Sequence, residues 1–337
     1  MQAMTTAEVQ RLGAGLGLDA VGVALAEPYE STERHIRERR ERGLFGALKF
    51  TTSRPEISCH PEGLLDGARS VVSAALCYWL PEPDRPPAHG RLPRYAWHDG
   101  YAELREKLDA LGRALGAPYR VLVDANQHVD REAAARSGVG FYGKNTMLIT
   151  ERHGSWVVLG TLVTDVEIEP SPLLDLDCGS CSLCVDACPT GALDEPGELD
   201  ATRCLSYWTQ APDAVPDPYR AELGATVYGC DVCQEVCPWN RSTERRRVQS
   251  VAPSDATPVV SLREWLRRDG EDLVEELRRL YLPRNDPRWL RRNALIVAGN
   301  AGDGELVADV ERYAECDDEV LREAACWALG RIAERSA

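Results

Sequence analysis

Eight cysteines lie between positions 178 and 237, at spacings that suit one kind of chemistry above others. Cys178, Cys181, Cys184 and Cys188, followed by Pro189, spell C-x2-C-x2-C-x3-C-P. A second run holds Cys230, Cys233, Cys237 and Pro238, and Cys204 stands between the two. The first run has the spacing of bacterial ferredoxins, in which short loops let three thiolates meet three corners of a cubane while the fourth serves a second cluster. One [4Fe-4S] cluster is therefore assigned to Cys178, Cys181, Cys184 and Cys237. The other takes Cys188, Cys230 and Cys233, with Cys204 the nearest candidate for its last ligand. Paired C-x2-C steps also suit two structural zinc sites, but zinc requires neither the Cys-Pro step nor the three-cysteine run. Disulfides are not expected, because a reducing compartment keeps thiols free. Cys59, Cys77, Cys316 and Cys326 fall outside both runs; Cys77 and Cys326 sit in apolar segments and are expected to be buried packing residues.

Two clusters close together carry single electrons, and such a wire needs something at its end. The residues before it are the place to look. Between positions 1 and 170 helical and strand-like segments alternate, which predicts an α/β domain. Thr6–Leu16 reads as a helix, and Asp19–Leu25 and Ser70–Leu80 as strands. Tyr101–Leu115 is an amphipathic helix with Leu104, Leu108, Leu111 and Leu115 on one stripe. Tyr119–Val123 is a strand, Arg131–Ser137 a helix, and Thr146–Ile149 and Ser155–Val163 read as paired strands. Leu80–Pro93, rich in proline, reads as an exposed loop. Residues 171–245 form the ferredoxin-type part. Residues 246–337 are helical, and within them LRRNALIVAGNA (290–301) and VLREAACWALGRI (320–332) resemble one another at a spacing of about thirty residues, which suits HEAT-like repeats. Two copies are too few to stand alone, so the preceding parts are expected to complete their packing.

The whole chain, 337 residues, is too long for one ordinary core and implies two or three domains. Its 39 basic and 54 acidic residues give a net charge of −15, which argues against indiscriminate nucleic-acid coating. Mean hydropathy is −0.34, and no apolar run reaches the roughly 18 residues of a membrane span. With no basic, apolar leader at the N-terminus, a cytoplasmic protein without a membrane partner is expected.

Further motifs carry a resemblance. They are R-Y-A-W (Arg94–Trp97), V-D (Val123, Asp124), G-V-G-F-Y-G-K-N-T (Gly138–Thr146), G-S-W and L-G (within Gly154–Gly160) and R-C-L-S-Y (Arg203–Tyr207). With the two cysteine runs and the helical C-terminal part, this order resembles the epoxyqueuosine reductase family over nearly the whole chain. The resemblance implies two [4Fe-4S] clusters and a cobalamin between the α/β and ferredoxin-type parts. It implies reduction of epoxyqueuosine to queuosine at the wobble position of tRNA, with the C-terminal helices gripping the anticodon stem-loop. An external electron donor is required, and the chain is expected to act as a monomer. Two other readings suit the residues: a reductase of the same build for another epoxide or halide, and a non-catalytic electron carrier with a helical docking module.

Asp124 ends a strand, where α/β proteins place their sites. From the residues alone it is a turn former or a proton donor; the resemblance implies the donor, which near neutral pH needs burial to raise its pKa. Asp130 is expected to cap the following helix, and His128 to face solvent. Lys144 and Asn145 either contact corrin amides or substrate phosphate, or serve their turn. Arg54, Arg94, Tyr95 and Trp97 either line a corrin pocket or belong to the core, and Ser206 would approach the corrin beside the second cluster. From Leu262 to Arg292 nine arginines face seven acids, and Arg284, Arg288, Arg291 and Arg292 are the expected tRNA contacts.

Overall fold

The run Ser70–Cys77 is buried at every position, so it must be covered on both faces. In the structure, a computed structural model describing residues 4–336, it is a central strand of a four-stranded sheet. The strands are β1 (Ala20–Leu25), β2 (Ser70–Cys77), β3 (Tyr119–Val123) and β4 (Val157–Thr164), in the spatial order β1-β2-β4-β3. Alternate residues face opposite ways. Val71, Leu122 and Val163 pack with Tyr29, Cys59 and Ala133 on one side. Val72, Val123 and Leu162 pack on the other with Leu104, Leu108, Leu111 and Leu115 of the helix Gly100–Leu115. The leucine stripe read from the sequence is thus the buried face, each full burial contributing roughly 1.5–3 kcal/mol. Asp99 caps this helix by accepting from the Ala102 amide at 2.9 Å, and Gly116 ends it at φ +67°. The helix lies so close to β4 that a Cβ on Gly160 would stand 2.7 Å from Leu108 Cδ1.

Two expectations change. All three neighbouring pairs of the sheet are antiparallel, so the alternation of helix and strand builds an α+β layer and not a parallel α/β sheet. The pairing of 146–149 with 155–163 also does not form. Leu148–Ile149 makes a small hairpin with Phe141–Tyr142, while β4, apolar on both faces, inserts between β2 and β3. A single bridge, Thr150 to Gly154, remains between the two segments.

The C-terminal third contains the helices Leu262–Arg267, Gly270–Glu276, Arg288–Ala301, Val307–Ala314 and Glu319–Ser336. The two similar sequence segments fall on Arg288–Ala301 and Glu319–Ser336, which pack so closely that a Cβ on Gly299 would lie 2.7 Å from Ala328 Cα. Their core does not stop at the expected boundary. Leu290, Ala294 and Leu295 share one apolar cluster with Leu80, Leu92, Trp97, Val227 and Tyr228. Within the stretch read as an exposed loop, His89–Arg91 pairs antiparallel with Val259–Ser261, stitching early and late parts of the chain together. Cys77 is buried as expected, but Cys326 is exposed, on the outer side of its helix. Among the described residues no helix is long and apolar enough to cross a membrane.

Candidate functional site: two thiol cages and a carboxyl cleft

Two four-residue helices, Leu183–Asp186 and Val232–Glu235, lie against each other, and each cysteine run wraps around one of them. This brings the thiols together in two groups. Cys178, Cys181, Cys184 and Cys237 line one cavity of about 490 Å³. They are near enough to act on one another: burial pushes the Cys184 and Cys237 thiols up, and the Cys178 charge adds to both. Among the described residues no three His, Cys, Asp or Glu side chains close on the point a lone metal ion would occupy. The four cysteines of this outer group share the lining of that cavity.

The inner group is Cys188, Cys204, Cys230 and Cys233. Burial raises the pKa of Cys204, with Cys188 adding to it. Burial pushes Cys230 up to about 12, with contributions from Cys204 and Cys188, and Cys233 feels both Cys230 and Cys204. Cys204 therefore stands near Cys188, Cys230 and Cys233. Cys184 also acts on Cys233, which places the two groups side by side.

Distant residues hold both groups. Lys144 Nζ donates to the carbonyls of Gly179 (2.8 Å) and Cys181 (2.9 Å), in the outer loop. The buried Asn145 donates from Nδ2 to the Cys233 carbonyl at 3.4 Å, in the inner one. The pair therefore ties the cluster loops to the N-terminal layer, a role that neither the corrin nor the turn reading anticipated. The G-S-W element has a similar duty: the Ser155 amide donates to Asn240 Oδ1 at 2.7 Å, three residues after Cys237. Arg292 and Asn293 hold the inner group from behind. Arg292 is fully buried and donates to the carbonyls of Trp208 (2.7 Å), Ala211 (2.7 Å) and Asp213, just beyond Cys204. Asn293 donates to the Thr209 and Val227 carbonyls, both at 2.8 Å. Burial depresses the Arg292 pKa to about 9. Arg292 is thus a strut and not an RNA contact, a correction that follows from its place on the core-facing side of its helix. Arg288 pairs with Asp286 and Asp318, and Arg291 donates to the Arg268 carbonyl at 2.9 Å; Arg284 stays exposed.

The R-Y-A-W element divides its work. Arg94 is 8% exposed, donates to Glu235 at 3.0 Å and Glu82 at 3.2 Å, and its backbone amide bonds Asp231 Oδ2 at 2.8 Å. Its guanidinium also lies over the rings of Trp97 and Trp156. Trp97 is buried and donates to the Leu92 carbonyl at 2.9 Å. Both are thus corrected from pocket lining to anchors of the inner cage. Tyr95 behaves differently. It meets Tyr101 edge-on at 6.4 Å, lies against Tyr228, and feels the charge of Asp124.

Asp124 follows the last residue of β3, and its left-handed φ of 49°, which aspartate tolerates better than most side chains, turns its carboxyl off the end of the sheet. The carboxyl is reachable by solvent yet ringed by protein, and burial raises its pKa; Arg105 opposes the rise in part. The Arg105 guanidinium is itself committed to the Val123 carbonyl at 2.6 Å. Asp130, six residues on, does not cap its helix. Val129 holds that position, and the Asp130 carboxylate instead accepts from Thr161 Oγ1 at 3.3 Å. Burial pushes the Asp130 pKa well up, and the Asp124 charge adds to it. Burial and a neighbouring charge together favour the protonated form of Asp130. His128, expected in solvent, is fully buried against Tyr29, and neither ring nitrogen finds a partner. Burial lowers its pKa to about 4.

Tyr95, Tyr101, Asp124 and Asp130 thus bound one cleft, partly open to solvent, between the sheet and the inner cage. Tyr228 and Asp231 connect it to Cys230. The Ser206 hydroxyl accepts from Gln210 at 3.3 Å while its backbone amide lies against the Cys204 thiol, and Arg54 is exposed.

The family model described as "4Fe-4S double cluster binding domain" matches residues 177–240, and the one described as "Epoxyqueuosine reductase QueG, DUF1730" matches residues 59–130. An epoxyqueuosine reductase of Lactococcus garvieae is 31% identical over 96% of this chain and 95% of its own length. The chain belongs to the epoxyqueuosine reductase family. Another member, from Bacillus subtilis, is 30% identical over 95% of this chain and 85% of its own. Among solved structures, an epoxyqueuosine reductase with an epoxyqueuosine-modified tRNA-Tyr stem loop has a TM-score of 0.87 at 30% identity, over 97% of this chain and 89% of that one. The Bacillus subtilis enzyme, solved with an aspartate-bearing catalytic loop swung out of the active site, has a TM-score of 0.86 at 30% identity, over 97% and 90%.

Proposed function

We propose that this chain reduces epoxyqueuosine to queuosine at the wobble position of tRNA. The reading is carried by one observation: an unpartnered carboxyl with a raised pKa stands in a cleft beside the inner of two thiol cages, in a chain that matches epoxyqueuosine reductases along its length. Removing the epoxide oxygen as water consumes two electrons and two protons. With clusters bound, the outer cage beside its cavity would take these electrons from an external donor, and the inner cage would hold the cluster nearer Asp124. Asp124 holds a proton at its carboxyl, where burial favours the protonated form, and delivers it to the departing oxygen. That a relative has a catalytic loop named by an aspartate, seen swung out of its active site, agrees with this choice.

The polar groups around Asp124 would suit a cobalamin. Tyr95, Tyr101 and the open carboxyl of Asp124 stand there, while His128 is buried in the core, so the groups on offer are hydrogen-bonding ones and not an imidazole. Bound there, cobalamin would supply a cobalt centre that accepts electrons next to the inner cage. Residues 1–170, 171–245 and 246–337 would act as cofactor, cluster and RNA parts, with Arg284 the one of the four expected arginines free to meet phosphate. The test is anaerobic reconstitution with iron, sulfide and cobalamin, followed by incubation with a reductant and an epoxyqueuosine-bearing tRNA stem-loop. Queuosine in the digested RNA is the expected product, with about eight irons and one cobalt per chain. No conversion by fully loaded protein would refute the reading.

A further inference from the structure

Phe50 and Tyr281 come from opposite ends of the chain, yet their rings meet at 4.9 Å and 77°. Tyr281 is 43% exposed. An edge-on pair uses one face of one ring and leaves aromatic surface open to a further ring. The segment carrying Phe50 is pinned nearby, since the Ala47 amide donates to the Tyr207 hydroxyl at 2.9 Å. From Tyr281 the path to the cleft is short. Its carbonyl lies 3.0 Å from the Tyr228 hydroxyl, Tyr228 lies against Tyr95, and both tyrosines feel the charge of Asp124.

Charge points the same way. In a chain of net −15, Lys49, Arg54 and Arg284 are exposed and form no side-chain ion pair or hydrogen bond among the described residues. Lys49 and Arg54 flank Phe50 in sequence, and Arg284 follows Tyr281 by three positions. Nearby Arg278 and Arg288 are, by contrast, paired with acids. Open aromatic rings beside unpaired cations suit single-stranded nucleic acid, whose bases stack while its phosphates are neutralised.

We propose that Phe50 and Tyr281 form a stacking platform for an unpaired base adjacent to the modified nucleotide, with Lys49, Arg54 and Arg284 on the flanking phosphates. This rests on the RNA reading given above and adds to it the place where the neighbouring base is held. It also moves Arg54 from the corrin to the RNA.

The test measures affinity of the cluster-loaded protein for a synthetic epoxyqueuosine-bearing anticodon stem-loop, and for the same RNA made abasic on either side of the modified nucleotide. Tyr281→Ala and Phe50→Ala should each weaken binding of the intact RNA about ten-fold, as loss of one base stack implies. Tyr281→Phe should restore it. Against the RNA lacking the stacked base, wild type should fall to the level of Tyr281→Ala, and the variant should lose nothing more. The Tyr281 carbonyl is kept in every variant, so cluster absorbance should not change. Unchanged affinity of Tyr281→Ala, or an equal loss against intact and abasic RNAs, would overturn the platform while leaving the function standing if wild type still makes queuosine. A wild-type protein that neither binds nor converts the stem-loop would overturn both.

Discussion

The two thiol cages have the same local recipe and different surroundings. The outer one, Cys178, Cys181, Cys184 and Cys237, borders a cavity and is tied down by Lys144. The inner one, Cys188, Cys204, Cys230 and Cys233, is pressed between Arg94, the Arg292–Asn293 strut and the carboxyl cleft. Short-range spacing determines which sulfurs can meet. What each cage connects to is determined by residues well over a hundred positions away, such as Arg94, and it is there that an electron carrier becomes an enzyme.

The sharpest way to break the comparison is to remove one ligand from the inner cage. Cys204→Ala should abolish queuosine formation and lower iron from about eight to about four per chain, with the outer cluster's spectrum retained. Cys326→Ala, on the exposed helix face, should change neither. Eight irons in the Cys204 variant would show that another group completes the inner site. Next comes the cleft beside it. Asp124→Asn keeps the shape but cannot donate the same proton, so the rate should fall about 10²–10⁴-fold with both clusters intact. Because burial raises this carboxyl's pKa, wild-type activity should fall as pH climbs through the raised value. A rate unchanged in the variant would remove Asp124 from the chemistry.

The strut offers a structural contrast of roughly 3 kcal/mol or more. Arg292→Ala would leave the Trp208, Ala211 and Asp213 carbonyls without their donor, and should release iron from the inner cage before the outer. Arg284→Ala should leave stability within about 0.5 kcal/mol and weaken only RNA binding. Equal iron loss from both cages in the Arg292 variant would contradict the division of labour. The last contrast is one of pH and belongs to His128. Its folded pKa, near 4, lies below the ordinary value of 6.5, so it contributes stability above pH 6.5 that is lost as pH falls through 4. The loss amounts to about 3 kcal/mol. His128→Leu should flatten the acid limb of thermal unfolding; an unaltered limb would mean the imidazole finds water or a partner when charged.

These contrasts also mark what the sequence could and could not convey. The cages were legible because a cysteine spacing is a local constraint, and the leucine stripe of Gly100–Leu115 because helical periodicity is local too. Strand pairing was not, since nothing between positions 146 and 163 reveals that β4 will be claimed by β2 and β3. Burial of His128 and Arg292 was equally hidden: a histidine in a polar loop and an arginine in a basic run look solvated until the partner surface is known. Asp124 stood out by its place after a strand, whereas Asp130 looked like a cap because the Thr161 hydroxyl that engages it arrives from β4.

Trp97, Tyr228 and Leu290 belong to one apolar cluster, and that continuity has a practical meaning. The helices beyond residue 246 cannot be an optional attachment. Cutting the chain there would strip the backing from Tyr228 and from the loop after Cys204, so a shortened protein should lose its inner iron together with its grip on RNA. Substrate capture and electron delivery would fail as one event.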